Sequence, residues 1–216
     1  MKSKDKNNFK ISLQKAEARE IVKKKGVRKN LIALNFMFAP LLISSIVLTL
    51  LTTIIPVTFV LTIFMIIQLI CYSTFTYASA KIINNGDGKP KFEFHSQLFS
   101  VFIFIDLVLS LIGMFVGGSL FGVLLSMVLS ILFMIVCIPI IFLSALRNYP
   151  MVLAIQKGFI LGNEYFWPLL KMVISFIPLF ILISITFGIV FIFKGTYIVT
   201  SFGILCRDIF QKENLA

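Results

Sequence analysis

The chain has 216 residues, a mass of 24.4 kDa and a mean hydropathy of +1.02. Apolar residues make up 59% of it and charged residues 13%, about half the usual quarter for a soluble domain; twenty basic against nine acidic residues leave a net charge of +11. A soluble fold of this length has no way to hide so much apolar surface, so a cytosolic enzyme and a disordered chain are excluded and a polytopic membrane protein is implied.

The charge is concentrated at the start. Residues 1–30 carry eleven basic and three acidic side chains. A basic segment beside a membrane predicts a cytoplasmic N-terminus close to anionic lipid, with Lys23, Lys24, Lys25, Arg28 and Lys29 as the contacts, at roughly 1 kcal/mol each near the surface. Nucleic acid is not expected as a partner, because the arm is short and joined to a hydrophobic body.

Residues 31–80 contain no charged residue. A bilayer core takes about 20 helical residues, so this stretch predicts two spans, 31–52 and 57–79, broken at Pro56. Lys81 to Gln97 reads as a polar loop with strong turn chemistry at Asn84 to Pro90. A third span, 98–116, contains Asp106. The pairs Gly113/Gly117 and Gly118/Gly122 each fit the small-residue spacing that permits close helix approach, and a turn at Gly117-Gly118-Ser119 is the favoured reading of that region. The fourth span is 120–146, with Pro139 as a kink and Arg147 as the stop. Ser119, Ser126 and Ser130 share one face of it and read as hydrogen-bonding glue, or, more sharply, as the lining of a polar path.

Residues 149–162 predict a short amphipathic helix lying in the interface. Asn148 would be its N-cap, Pro150 would sit in its first turn, and Met151, Val152, Ile155 and Phe159 would form its apolar stripe. Gly162-Asn163 would end it, and Tyr165, Phe166 and Trp167 would mark the membrane boundary. The remaining apolar run divides into spans 165–186 and 190–207, with a turn near Gly188 and a polar cytoplasmic tail over 208–216.

Six spans put both termini on one side. With the N-terminus inside, eighteen basic residues collect on the cytoplasmic side and Lys194 alone faces outward, which is the asymmetry expected of a cell-membrane protein. Lys171 can snorkel back to the inner surface.

An ionisable group inside a span is a functional hypothesis by default. Asp106 and Lys171 lie about 12 Å and 9 Å from the same boundary at 1.5 Å per residue. They either face each other across a polar pair or wet cavity, or Lys171 snorkels and Asp106 is satisfied by serines or water. The three isolated cysteines, Cys71, Cys137 and Cys206, read as apolar packing residues, and His95 as a solvated or interfacial side chain. No zincin, nucleophile-elbow or Walker A sequence is present. No catalytic residue, metal or cofactor is therefore expected, and the chain reads as a non-enzyme.

Three places carry a resemblance. They are the basic segment leading into span one, the loop Asn85-Gly86-Asp87-Gly88-Lys89-Pro90-Lys91-Phe92, and above all the run from Pro139 through Tyr149-Pro150 to Gly158, Gly162-Asn163 and Phe166-Trp167. Leu205-Cys206-Arg207-Asp208-Ile209 closes the pattern as a last span with a basic stop. This layout resembles bacterial six-span membrane families of uncharacterised role, related to the membrane domain of some glycerophosphodiester phosphodiesterases; Gln156 stands where such families often carry Ser. The resemblance implies an all-α polytopic bundle in the cell membrane and no activity. The leading expectation is a non-enzymatic accessory or regulator, of the envelope-stress or self-immunity kind, working with a membrane-protein partner or as a homo-oligomer. The alternative is a small oligomeric transporter or channel using Asp106, Lys171 and the serine face.

Overall fold

The computed structural model describes residues 9–24, 57–85, 94–116, 120–186 and 189–215. The expected first span at 31–52, the turn chemistry at 86–90, the turns at Gly117–Ser119 and Gly188, and the lipid contacts Lys25, Arg28 and Lys29 lie outside the described residues.

The fold is all-α. Among the described residues there are seven helices: α1 Ile11–Lys23, α2 Val57–Asn85, α3 Ser96–Val116, α4 Leu120–Arg147, α5 Met151–Glu164, α6 Phe166–Ile185 and α7 Ile189–Lys212. Four of them are long and apolar enough to cross a membrane, over Met65–Asn84, Ser96–Met114, Phe121–Arg147 and Phe166–Ile183. Their outward faces carry the large exposed apolar side chains, among them Leu107, Met114, Phe121, Leu124, Ile131 and Ile185. An apolar surface of this extent marks a membrane-facing protein.

Several boundaries move. α2 does not end at residue 79 but continues to Asn85, because Ala80, Ile82 and Ile83 are buried in the core and Asn84 Nδ2 donates to the Leu146 carbonyl at 3.0 Å. Lys81, expected in the loop, lies in the helix with its ammonium 4.8 Å from the Tyr77 ring. α7 likewise runs past the expected stop at 207 to Lys212. Ile209 and Phe210 are fully buried, so the segment expected as a solvated tail begins as a packed helical turn.

The helix expected over 149–162 is present as α5, shifted to 151–164. Asn148 is not its N-cap: its φ of 54° places it in the left-handed region of the turn after α4, which Asn tolerates better than most residues. Pro150 stands just before the helix. The first α5 N–H, from Met151, is instead accepted by Gln97 Oε1 of α3 at 3.2 Å. Gly162 is not a stop either. α5 packs antiparallel along α4, with Gly158 against Ile140 and Gly162 against Val136. Its buried face is Ala154, Gly158, Leu161 and Gly162, while Val152 and Phe159 of the expected apolar stripe point outward. Small side chains face inward because only they let two helix backbones come this close.

α6 and α7 form an antiparallel pair. Tyr165, just before α6, hydrogen-bonds Glu213 beyond the end of α7, and the Phe176 ring meets those of Tyr197 and Phe202. Tyr165 is completely buried, so of the expected aromatic belt it is Trp167 that is exposed.

Candidate functional site

Two features stand out: a polar seam between α1 and α7, and an apolar cleft inside the bundle. The seam starts from the amphipathic pattern of α1. Ala18 is fully buried, and Phe9, Ile11 and Ile21 pack on the core. Arg207 of α7 meets Glu17 of α1 through both guanidinium nitrogens, at 2.9 and 3.1 Å. This bidentate geometry is among the stronger forms of ion pair. The same guanidinium holds Asp208 at 3.0 Å, and Gln14 Nε2 donates to Asp208 at 3.2 Å.

Further along, the Lys15 ammonium donates to the Ser175 carbonyl of α6 at 2.9 Å and lies 4.1 Å from the Phe176 ring centroid. Pro178 lies inside α6, where it removes a helix donor and loosens the preceding turn, the turn in which Ser175 lies. Partial burial, with the nearby Arg19 charge, lowers the Lys15 pKa from its ordinary value. Burial raises that of Tyr165, helped by its hydrogen bond to Glu213. Within the basic arm, Ile11–Lys23 is thus a helix tied to the bundle by these polar contacts.

The cleft has a volume of about 470 Å³ and lies between α2, α3, α4, α6 and α7. Phe75, Phe102, Ile138, Phe142, Val173 and Phe202 are among its apolar lining, and Tyr72, Thr76 and Ser130 contribute hydroxyls. Phe75 and Val199, both in this wall, also belong to the cluster on which Ile21 and Val22 of α1 rest. Cleft and α1 thus border the same small cluster of buried side chains, Phe75, Ala78 and Ile82.

Asp106 is half-buried on α3, one turn beyond Phe102, and Lys171 is exposed on α6. α3 packs on α2, α4 and α5, whereas α6 packs on α1, α4, α5 and α7. Among the described residues the two form no ion pair with each other. Of the serine face, Ser126 donates to the Val123 carbonyl of its own helix and Ser130 opens on the cleft. Lys23 and Lys24 are exposed at the end of α1.

His95 makes contacts within the protein. Its Nδ1 accepts the Leu98 N–H at 3.2 Å, capping α3, and its ring stacks on Tyr77 at 4.5 Å. Burial, with Lys81 nearby, lowers its pKa against the raising effect of an Asn148 hydrogen bond. Cys137 and Cys206 are buried, Cys71 is half-buried, and all three are free thiols. Among the described residues no group of three His, Cys, Asp or Glu could hold a metal ion.

The seam passed unread in the sequence because residues 1–30 present themselves as a charge run. The signal was there: Ile11, Ala18, Ile21 and Val22 fall on one side of a helix. No protein-family model, no curated protein and no solved structure matches the chain.

Proposed function

We propose that this is a six-span protein of the cell membrane, with both termini in the cytoplasm, that acts as a non-enzymatic accessory or regulatory subunit. The observation that carries the reading is the docking of α1 on the end of α7. Glu17 and Arg207 bring the basic arm and the last helix to one end of the bundle. The C-terminal ends of α2 and α4 meet through Asn84 and Leu146, and α2 has 29 residues, roughly 43 Å at 1.5 Å per residue. A chain that leaves α1 at one end and enters α2 at the other changes sides once. That supports a crossing at 31–52, and α7 as the last crossing, in addition to the four apolar helices.

A regulator needs a surface that senses and a body that responds. The arm, with Lys23, Lys24, Lys25, Arg28 and Lys29, suits anionic lipid or an acidic partner, and its helix leans on the cleft wall. The apolar lining of the cleft speaks against the alternative, an ion-conducting path, which needs polar side chains from several helices at one depth.

The test is purification of the full chain from its own membranes in gentle detergent, read by native mass spectrometry. A stoichiometric membrane partner, lost on removal of residues 1–30, is the expected result. A homo-oligomer with no partner that drives solute flux in liposomes would overturn the reading in favour of transport.

A further inference from the structure

The cleft holds a volume of about 470 Å³, equivalent to roughly 15 water molecules at about 30 Å³ each. Buried water needs two to four polar partners per molecule, and the lining offers the hydroxyls of Tyr72, Thr76 and Ser130. Water is thus a poor occupant.

The rim decides what is a good one. Tyr72, Ile131, Met134 and Phe180 are lining residues that are also exposed, and Ile131, at 54%, is the most open. All four lie on the apolar helices that can cross a membrane, so the mouth of the cleft is continuous with the membrane-facing surface. Its inner end reaches Phe75 and Phe142, which are buried. Hydrocarbon can pass from the bilayer core to this inner wall without leaving an apolar environment, and an empty wall forfeits its dispersion contacts.

We propose that the cleft is a binding site for one acyl chain of a bilayer phospholipid, admitted sideways past Ile131 and Met134. The proposal rests on the membrane-embedded reading above and deepens it. The occupant would lie against Phe75 and Val199, and Phe75 belongs to the small cluster on which Val199 and, from α1, Ile21 and Val22 pack. Lipid in the cleft and the basic arm then border one cluster, through which the position of one can bear on the other.

The test uses the full chain, stripped in detergent and reconstituted in nanodiscs of phosphatidylglycerol and phosphatidylethanolamine, then read by native mass spectrometry on release. Ser130→Phe and Val173→Phe fill the cleft from opposite walls. Leu124→Phe, on the exposed face of α4 and outside the lining, is the control. Wild type and control retain one phospholipid per chain, and both filled variants lose at least nine-tenths of it with unchanged helicity. Equal retention in all four, retention of a free fatty acid, or a dimer that the filled variants dissociate would overturn the proposal. Should the filled variants fail to fold, a phospholipid with a diazirine near its acyl terminus is crosslinked to wild type. Adducts on peptides carrying Phe102 and Phe75 support the site, and adducts confined to the outer face of α4 overturn it. Neither readout depends on capturing a partner, so the accessory role can fail while the lipid site stands.

Discussion

Gly158 and Gly162 let α5 approach the backbone of α4, and the approach leaves no room for a methyl group. A Cβ at position 162 would stand 2.2 Å from the Val136 carbonyl oxygen, and one at 158 would stand 2.6 Å from the Ile140 Cα. Neither neighbour is a flexible side chain. Gly162→Ala and Gly158→Ala are therefore each expected to destabilise the protein by about 1–3 kcal/mol, seen as a lower midpoint when helicity is followed on heating in detergent. Gly113→Ala is the contrast: a Cβ there meets nothing within 4 Å, so its midpoint should hold or rise slightly. The spacing of small residues was equally visible at 113/117 and 158/162. A spacing says that a helix can approach and not whether one does: the sequence reads 113/117 as a turn or a close approach and Gly162 as a stop, while the close approach falls at 158/162. His95 makes a second residue-scale prediction. Its folded pKa is lowered from an ordinary value of about 6.5, so around and below that pH the unfolded chain binds more protons and stability falls as pH falls. The contribution is whole above about pH 6.5 and is lost as pH drops through the lowered folded value, when Nδ1 is protonated and can no longer accept the Leu98 N–H. His95→Asn keeps a capping acceptor without a titrating ring. The melting midpoint of wild type should drop between pH 7 and 5 more than that of the variant, and superimposable profiles would sink the idea.

At the scale of elements, α1 tests whether a partly exposed seam holds a helix. The Glu17 and Arg207 side chains are 41% and 25% exposed, so solvent screens the pair and its worth is about 1 kcal/mol, or roughly five-fold in the docked population. Glu17→Lys sets like charges against each other and also loses the bidentate geometry. Trypsin cleavage after Lys15 and Arg19 should then accelerate by about that factor or more, and Arg207→Glu in the same chain should recover part of the protection. If single and double variants are cut at the wild-type rate, α1 is held by its apolar face alone. The apolar face is substantial, since Ala18 is fully buried, Ile21 packs on two clusters and Val22 on one of them. Most helices were legible from hydropathy, because a span has to be apolar along its length. α1 was not, because its apolar residues are interrupted by charged ones, of which Lys15 reaches the Ser175 carbonyl and the Phe176 ring and Arg19 the Tyr197 ring. The continuation of α7 was missed for a related reason: Arg207 and Asp208 look like a stop until Glu17 and Gln14 supply their partners.

At the scale of the whole molecule, the seam constrains topology more sharply than hydropathy does. Lys212 lies near Phe9, Tyr165 bonds Glu213, and Arg207 bonds Glu17. The start of α1 and the end of α7 are therefore neighbours, and a bilayer cannot lie between them. The number of crossings from one to the other must then be even, as in the six-span reading proposed above; the four candidate spans are an even number too. The proposed reading takes the side from the distribution of basic residues, which favours the cytoplasmic one. Single cysteines in a background lacking Cys71, Cys137 and Cys206 test this with a membrane-impermeant maleimide on intact cells. Cysteine in place of Ser3, Gly88, Asn148 or Asn214 should stay unlabelled until the membrane is opened, while Lys194→Cys, at an exposed position near the start of α7, should label from outside. The Asn214 position discriminates most directly, because labelling there on intact cells with Ser3 protected would require an odd number of crossings. That result would also separate the two partners of the Arg207–Glu17 pair by the thickness of the membrane. The seam, and the coupling of the basic arm to the cleft that depends on it, would then have to be abandoned together.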